Sequence, residues 1–496
     1  MQLDQKKTPF FTKIKEYAES NSVALDVPGH KRTAMLTDMV DYVGIETFKL
    51  DANAPRGLDN LSRPVGVIKE ASKLLAEAFL AEEAYFLTGG TTMGILAMIM
   101  SICRAKEKII LPRNVHKSVI NALIFSGAIP VFIKPRIDMT LGIANDMPLE
   151  EVKKAIEEHP DAKAVFVINP TYFGAISDLK EIVEVAHQKN MLVLADEAHG
   201  AHYCFSEDLP YSAMEAGVDL SAASMHKTGG SLTQSSILLA QGPLVDHQRL
   251  KSTINLLQST SPSSLFLASI DVARKVMYFE APKKIPGLIK LASETRKRIQ
   301  KIPGLQSLGK EYFTSKNVFD YDESKIIVKV SDLGVTGFDV YKELYDEHKI
   351  QMELAETHLI LAVLSIATAQ EDMDRFVKAL ESISEKYAPI KLNPVKPKIR
   401  YSEPEYAIRP REAYHAPKAY MPLIEAVNQI AAESIMIYPP GIPIVIPGEI
   451  ITQDIIDDLQ FYKTTETTIL SDSESDLIKV VDKELWFKWE GDDDEI

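Results

Sequence analysis

The sequence predicts an α/β protein in three parts: a large layered domain on a mostly parallel sheet, a small α+β domain, and a C-terminal α+β unit. Three observations predict it. Short apolar runs recur between residues 80 and 240, helix-spaced stretches separate them, and the pattern changes after about residue 285. The runs cover residues 108–111, 130–133, 164–168, 191–195, 220–223 and 236–240. Most are continuous, not alternating, so both faces of each strand should be buried, as in a parallel sheet covered by helices. Between two of them, Leu179, Ile182, Val183 and Ala186 fall on one side of a helix, which completes a layered α/β pattern.

The chain has 496 residues, too many for a single core. A second unit is expected after the polar segment 281–286. Within it, 325–330, 350–354 and 359–364 read as strands, and 336–348 and 370–383 as helices. A stretch rich in Pro and Lys, 388–398, reads as a linker. The third unit follows from about residue 401. Its run Tyr438-Pro439-Pro440-Gly441-Ile442-Pro443 should be extended, because proline disfavours helix in itself and in its neighbour. Acids alternate with serines over 472–476, and Gly491-Asp492-Asp493-Asp494-Glu495 reads as a solvated tail. The expected divisions are an N-terminal segment 1–50, a large domain 51–285, a small domain 286–390 and a C-terminal domain 391–496.

Composition excludes several classes. Apolar residues make up 46% and charged residues 25%, as in ordinary globular proteins. No apolar stretch is long enough to span a bilayer, and the N-terminus lacks an apolar signal region. Cys103 and Cys204 form neither a metal motif nor a disulfide framework, so a cytoplasmic protein is expected. A net charge of −15 argues against a nucleic-acid partner, which would need a basic face.

Four segments carry chemistry, three of them just after predicted strands, where open α/β sheets bind ligands. Thr88-Gly89-Gly90-Thr91-Thr92-Met93-Gly94 precedes an apolar helix. Backbone N–H groups, the helix dipole and the hydroxyls of Thr91 and Thr92 suit an anion there. The plain alternative is an N-cap with a tight turn. Asp196-Glu197-Ala198-His199-Gly200 places a carboxylate at a strand end, within reach of a cofactor over the sheet. It also admits a strand-end cap, or a metal site with His202 and His226. In Ser224-Met225-His226-Lys227-Thr228-Gly229-Gly230, a lysine in a cationic or apolar surround can lose its proton and attack a carbonyl. An exposed loop lysine is the default reading. In Pro112-Arg113-Asn114-Val115-His116-Lys117-Ser118, His116 can stack on a flat ring or act in acid–base work, or simply begin a helix.

An anion loop, an Asp after a strand and a Lys further on occur in chain order. This layout resembles pyridoxal-phosphate enzymes of the aspartate-aminotransferase type (fold type I). The resemblance assigns Lys227 to covalent attachment of the cofactor, Asp196 to keeping its ring nitrogen protonated, and Gly90, Thr91 and Thr92 to its phosphate.

Longer motifs sharpen the match: Pro28-Gly29-His30-Lys31, Asn169-Pro170-Thr171-Tyr172-Phe173-Gly174, Tyr438 to Pro443, and Pro447-Gly448-Glu449. With the segments above they resemble the bacterial ornithine/lysine/arginine decarboxylases over most of the chain, in the shorter form without an N-terminal wing domain. Ser231 to Ser236 and Leu267 to Lys275 look most like the biosynthetic arginine decarboxylases of bacilli. The resemblance implies that His116 stacks on the pyridine ring. Ser224 and His226 hold the phosphate or position the attached cofactor, and Ala198 and His199 lie near the ring. It also implies a homodimer or higher homo-oligomer with the site at the interface, and a role in polyamine biosynthesis. Where relatives often have Leu-Asp-Asp-Leu, this chain reads Leu58-Asp59-Asn60-Leu61, and Arg32-Thr33 follows the Pro-Gly-His-Lys run.

The reaction so implied is decarboxylation of a basic amino acid, with arginine favoured and agmatine as product. Lys227 or His226 returns a proton to the α-carbon. A distal cation should meet a carboxylate, and Glu433 and Asp59 are the candidates. No metal is expected. The alternatives are a lysine or ornithine decarboxylase, another pyridoxal enzyme, an inactive regulatory protein that kept the fold, and a metal-dependent hydrolase using His199, His202 and Asp196.

Overall fold

The structure is a computed structural model that describes residues 3–20, 22–387, 405–438, 442–464, 468–474 and 476–486. Seven strands form its central sheet: β1 (Glu83–Leu87), β2 (Lys108–Pro112), β3 (Ile129–Ile133), β4 (Ala164–Ile168), β5 (Leu192–Asp196), β6 (Leu220–Ala223) and β7 (Ser236–Ala240). Their spatial order is β1-β7-β6-β5-β4-β2-β3. Strands β2 to β6 run parallel, and β7 is antiparallel to both neighbours. All six apolar runs are strands of this sheet. The seventh, β1, lies at an edge.

Two apolar clusters cover the faces of the sheet, and alternate strand residues divide between them. Val165 and Val167 face one cluster, whereas Ala164 and Phe166 face the other. That two-sided burial is why the runs are continuous. The helix expected between β4 and β5 spans Leu179–His187, and Asp178 caps it by accepting from the Glu181 N–H.

Segment 1–50 is not separate from the large domain. Helix Pro9–Glu19 buries Phe10 and Ile14 in the large-domain cluster, and the N–H groups of Phe10 and Phe11 donate to buried Asp271.

The polar segment 281–286, after which the second unit was expected, lies inside one 36-residue helix, Ser264–Ile299, which contains Pro282 and Pro286. The helix is shared. Its buried residues up to Ile285 belong to the large-domain core and those from Leu288 to the small-domain core, with Ile289 still packed against the former. One continuous helix therefore runs from one core into the other. The small domain is an antiparallel sheet in the order Gln306–Leu308, Lys325–Lys329, Leu359–Val363, Leu354–Ala355. Helices Gly337–Asp346 and Gln370–Tyr387 accompany it, the first held by a capping box between Thr336 and Asp339.

In the C-terminal unit, Lys418–Pro422 pairs with Leu477–Val481. Ile435–Tyr438 lies between Ile442–Val445 and Thr468–Leu470. Residues 439–441 of the proline-rich run lie outside the described residues, and the strands on either side of them pair antiparallel. The expected linker 388–398 and the acidic tail 491–495 lie outside the described residues. Among the described residues, no helix is long and apolar enough to cross a membrane.

Candidate active site

A cavity of about 560 Å³ opens at the carboxyl ends of β4, β5 and the loop after β6. It is lined by Gly90, Thr91, Thr92, Asn114, His116, Asp196, Ala198, His199, Ser224, His226 and Lys227. Ten of the twelve expected site residues therefore converge. The position follows from the parallel strands, whose ends point the following loops to one edge of the sheet.

Strand β5 ends in Asp196 and leads directly to Glu197, so the two acids take opposite sides. Asp196 faces the cavity. Burial raises its pKa, opposed by the charge of Lys227 and by the Ala198 N–H, which donates to Oδ1 at 3.1 Å. Glu197 points away, accepts from the Ala213 N–H and the Ser221 hydroxyl, and is pushed by burial up to about 8.

Lys227 follows β6. Burial lowers its pKa, against the pull of Asp196 and Glu353. Its Nζ lies 2.8 Å from Nε2 of His199 and 5.4 Å from the centre of the Tyr172 ring. The His199 ring meets Tyr172 edge-on at 4.4 Å, and its pKa is lowered by burial and by Lys227. His226 donates through Nδ1 to the Ser235 carbonyl at 3.1 Å.

His116 caps helix Lys117–Ser126 by accepting from the Ser118 N–H at Nδ1. Burial, with Lys227 and Lys117 nearby, pushes its pKa down to about 4. Helix Gly90–Ile102 begins at the cavity with Gly90 at φ +71°, a conformation suited to glycine. The Thr91 hydroxyl is hydrogen-bonded to Ser224 and donates to Ser236 at 3.2 Å.

The donor set fits pyridoxal phosphate. An N-terminal helix turn with clustered hydroxyls suits the phosphate. A neutral-prone amine faces a buried carboxylate across the cavity. Among the described residues, Asn114 Oδ1 and His199 Nδ1 are buried without a hydrogen-bond partner, so polar capacity is left for a ligand.

Two expected substrate residues are corrected. Asp59 accepts from the N–H groups of Asn60, Val65, Gly66 and Ile68. It is a turn and cap residue at the start of helix Val67–Ala78 and does not line the cavity. Glu433 is buried in the C-terminal unit, where Ser471, Ser473 and the N–H groups of Asp472 and Lys479 all donate to it. With both oxygens engaged, neither acid has capacity left for a substrate cation. The hydrolase alternative also loses its ligands: His199 is turned to Lys227, while His202 bonds Ser324 and lies 3.9 Å from Asp322. The Pro28-Gly29-His30-Lys31 run lies outside the cavity lining, with His30 bonded to Asp51.

Among the lining residues not expected at the site are Asn114, Glu353, Tyr172 and Ile442. Glu353 comes from the small domain and accepts from the Tyr172 hydroxyl. Tyr172 and Ile442 sit within motifs that sequence reasoning quoted without giving them a task.

Fold and site together define a pyridoxal-phosphate enzyme of the aspartate-aminotransferase fold. Family models for the Orn/Lys/Arg decarboxylase major domain and C-terminal domain match residues 8–372 and 395–469. The chain belongs to the Orn/Lys/Arg decarboxylase family. It is 44% identical over 454 residues to an arginine decarboxylase of Bacillus subtilis, covering 91% of this chain and 93% of that relative. An arginine decarboxylase of Halalkalibacterium halodurans is also 44% identical, over 90% of this chain and 92% of its own. Among solved structures, the lysine decarboxylase of Francisella novicida superposes with a TM-score of 0.84 at 22% identity, covering 96% of this chain and 81% of that one.

Proposed function

We propose that this chain decarboxylates L-arginine to agmatine and carbon dioxide, with pyridoxal phosphate held at the cavity and attached to Lys227. The observation that carries the substrate is the 44% identity, across nine-tenths of the chain, to relatives named arginine decarboxylase. Bound there, pyridoxal phosphate supplies an electron sink for the pair left on the α-carbon when the carboxylate departs.

The side chains divide the remaining work. Gly90, Thr91, Thr92 and Ser224 hold the phosphate. Asp196 holds a proton on the ring nitrogen, and His116 packs on the ring. Burial lowers the pKa of the Lys227 amine, against the pull of Asp196 and Glu353, which favours its nucleophilic form. Lys227 and His226 both line the cavity, and either can carry the proton that replaces the carboxylate. Glu353, the one acid besides Asp196 among the described residues of the lining, receives the substrate's distal guanidinium.

The working unit is a dimer or larger assembly of this chain. Val23, Leu25, Met35, Tyr42 and Val65 are each more than two-thirds exposed, apolar surface that a second copy would cover. Light scattering tests this, and a monomer at working concentration contradicts it. The reaction itself is tested by incubating the purified protein with pyridoxal phosphate and arginine and separating the products. Agmatine is expected, and its absence with arginine unconsumed overturns the proposal.

A further inference from the structure

The late Pro-Gly-Glu motif lies far along the chain from the cofactor loops, yet its glutamate meets Arg113, the residue before Asn114 of the cavity lining. Glu449 is fully buried and faces Arg113, the residue directly after β2 and Pro112. Arg113 Nε donates to one carboxylate oxygen at 2.8 Å and Nη2 to the other at 2.9 Å. The same guanidinium donates from Nη1 to the Pro443 carbonyl at 3.0 Å and from Nη2 to the Ile444 carbonyl at 3.3 Å. The Ile446 N–H completes the carboxylate's shell at 2.9 Å. Gly448 makes the turn possible: its φ is +94°, and a Cβ there would stand 2.2 Å from the Ile408 carbonyl oxygen.

Both ends of this fork lead into the cavity. On one side, Arg113 is followed by Asn114 and, two residues later, His116. On the other, Pro443 is preceded by Ile442, the C-terminal unit's residue in the lining. The fork is reinforced by a stack of Phe132 on Tyr406, with centroids 5.5 Å apart and planes at 10°.

We infer that Arg113 and Glu449 are positioning residues that latch the C-terminal domain to the cofactor loop, setting where His116 and Ile442 stand and thereby how tightly the substrate is held. A planar, bidentate fork fixes direction as well as distance, and a lysine cannot reproduce it. The inference rests on the decarboxylase reading above.

The test compares wild type, Arg113→Lys, Glu449→Gln and Ile442→Ala, each loaded with pyridoxal phosphate. Circular dichroism of the bound cofactor and amide exchange over residues 113–118 accompany KM and kcat for arginine. The two latch variants are expected to change the cofactor dichroism, speed exchange in that loop and raise KM about tenfold, since sub-ångström displacement is costly at a reacting site. Ile442→Ala leaves the latch intact and is expected to raise KM with cofactor dichroism unchanged. Should the two latch variants fail to fold, Glu449→Asp, which keeps the charge and shortens its reach to Arg113, is read by the same dichroism, exchange and KM. Wild-type KM and dichroism in folded latch variants, or wild-type KM in Ile442→Ala, overturn the inference. A wild type that binds cofactor but turns over no arginine fails the proposed function instead, and the dichroism and exchange readouts still judge the latch.

Discussion

Nζ of Lys227 lies 2.8 Å from Nε2 of His199, and burial depresses the pKa of both groups. Two potential cations share a dry pocket only if at most one carries charge. His199, held well below its ordinary value by burial and by Lys227, is the partner that gives up its charge first, so its Nε2 is free to accept from the Lys227 amine.

Replacing Lys227 with Ala should therefore remove chemistry while leaving a place for the cofactor. Turnover is expected to fall on the order of 10⁴-fold, as when a covalent catalytic residue is lost. Pyridoxal phosphate should leave on dialysis, whereas wild type retains it. Cofactor content after dialysis, read alongside single-turnover rates, checks both.

Asp196→Asn keeps the shape of the carboxylate and removes its charge. A ring nitrogen next to it would lose the partner that favours its protonated form, and kcat should fall about 10²- to 10³-fold. The rate is compared at saturating pyridoxal phosphate, so weaker cofactor binding is not mistaken for slower chemistry.

Glu353→Gln tests recognition of the distal cation. A charge-assisted hydrogen bond contributes about 2 kcal/mol, so kcat/KM for arginine should drop about thirtyfold, mainly through KM. Unchanged KM would place the guanidinium elsewhere.

Stability of the apoprotein should fall on acidification. In the folded chain His116 binds its proton only near pH 4, whereas in the unfolded chain it does so near 6.5. Between these values the unfolded state holds more protons, so stability is intact above about pH 6.5 and is lost as pH drops toward 4. The full loss from this residue is about 3 kcal/mol. His199, His202 and His226 are shifted the same way and add to it. Urea unfolding of wild type and His116→Gln at pH 4.5 and 7.5 measures the effect. The substitution should shrink the difference between the two pH values.

Much of this site was legible in the sequence because its residues sit in short, dense motifs at strand ends. Lys227, Asp196, His116 and the Thr91 loop needed only the parallel sheet to bring them together. Glu353 was not legible, since it belongs to another domain and no local pattern marks it. Asp59 and Glu433 failed for a related reason. An acid reads the same in sequence whether it caps backbone N–H groups or meets a substrate, and only the folded loop shows its partners. Strand β1 opens with a glutamate at the sheet edge, so its apolar run is short. The second unit was expected to start after 281–286, where helix Ser264–Ile299 instead continues, because two cores hold that helix from both ends.

The most direct measurement is kcat/KM for arginine, lysine and ornithine on one preparation of the protein loaded with pyridoxal phosphate, with carbon dioxide release as the signal. Arginine is predicted to exceed the other two by at least about tenfold, with agmatine formed in equal amount to carbon dioxide. A higher value for lysine or ornithine, or no release from any of the three, would contradict the account.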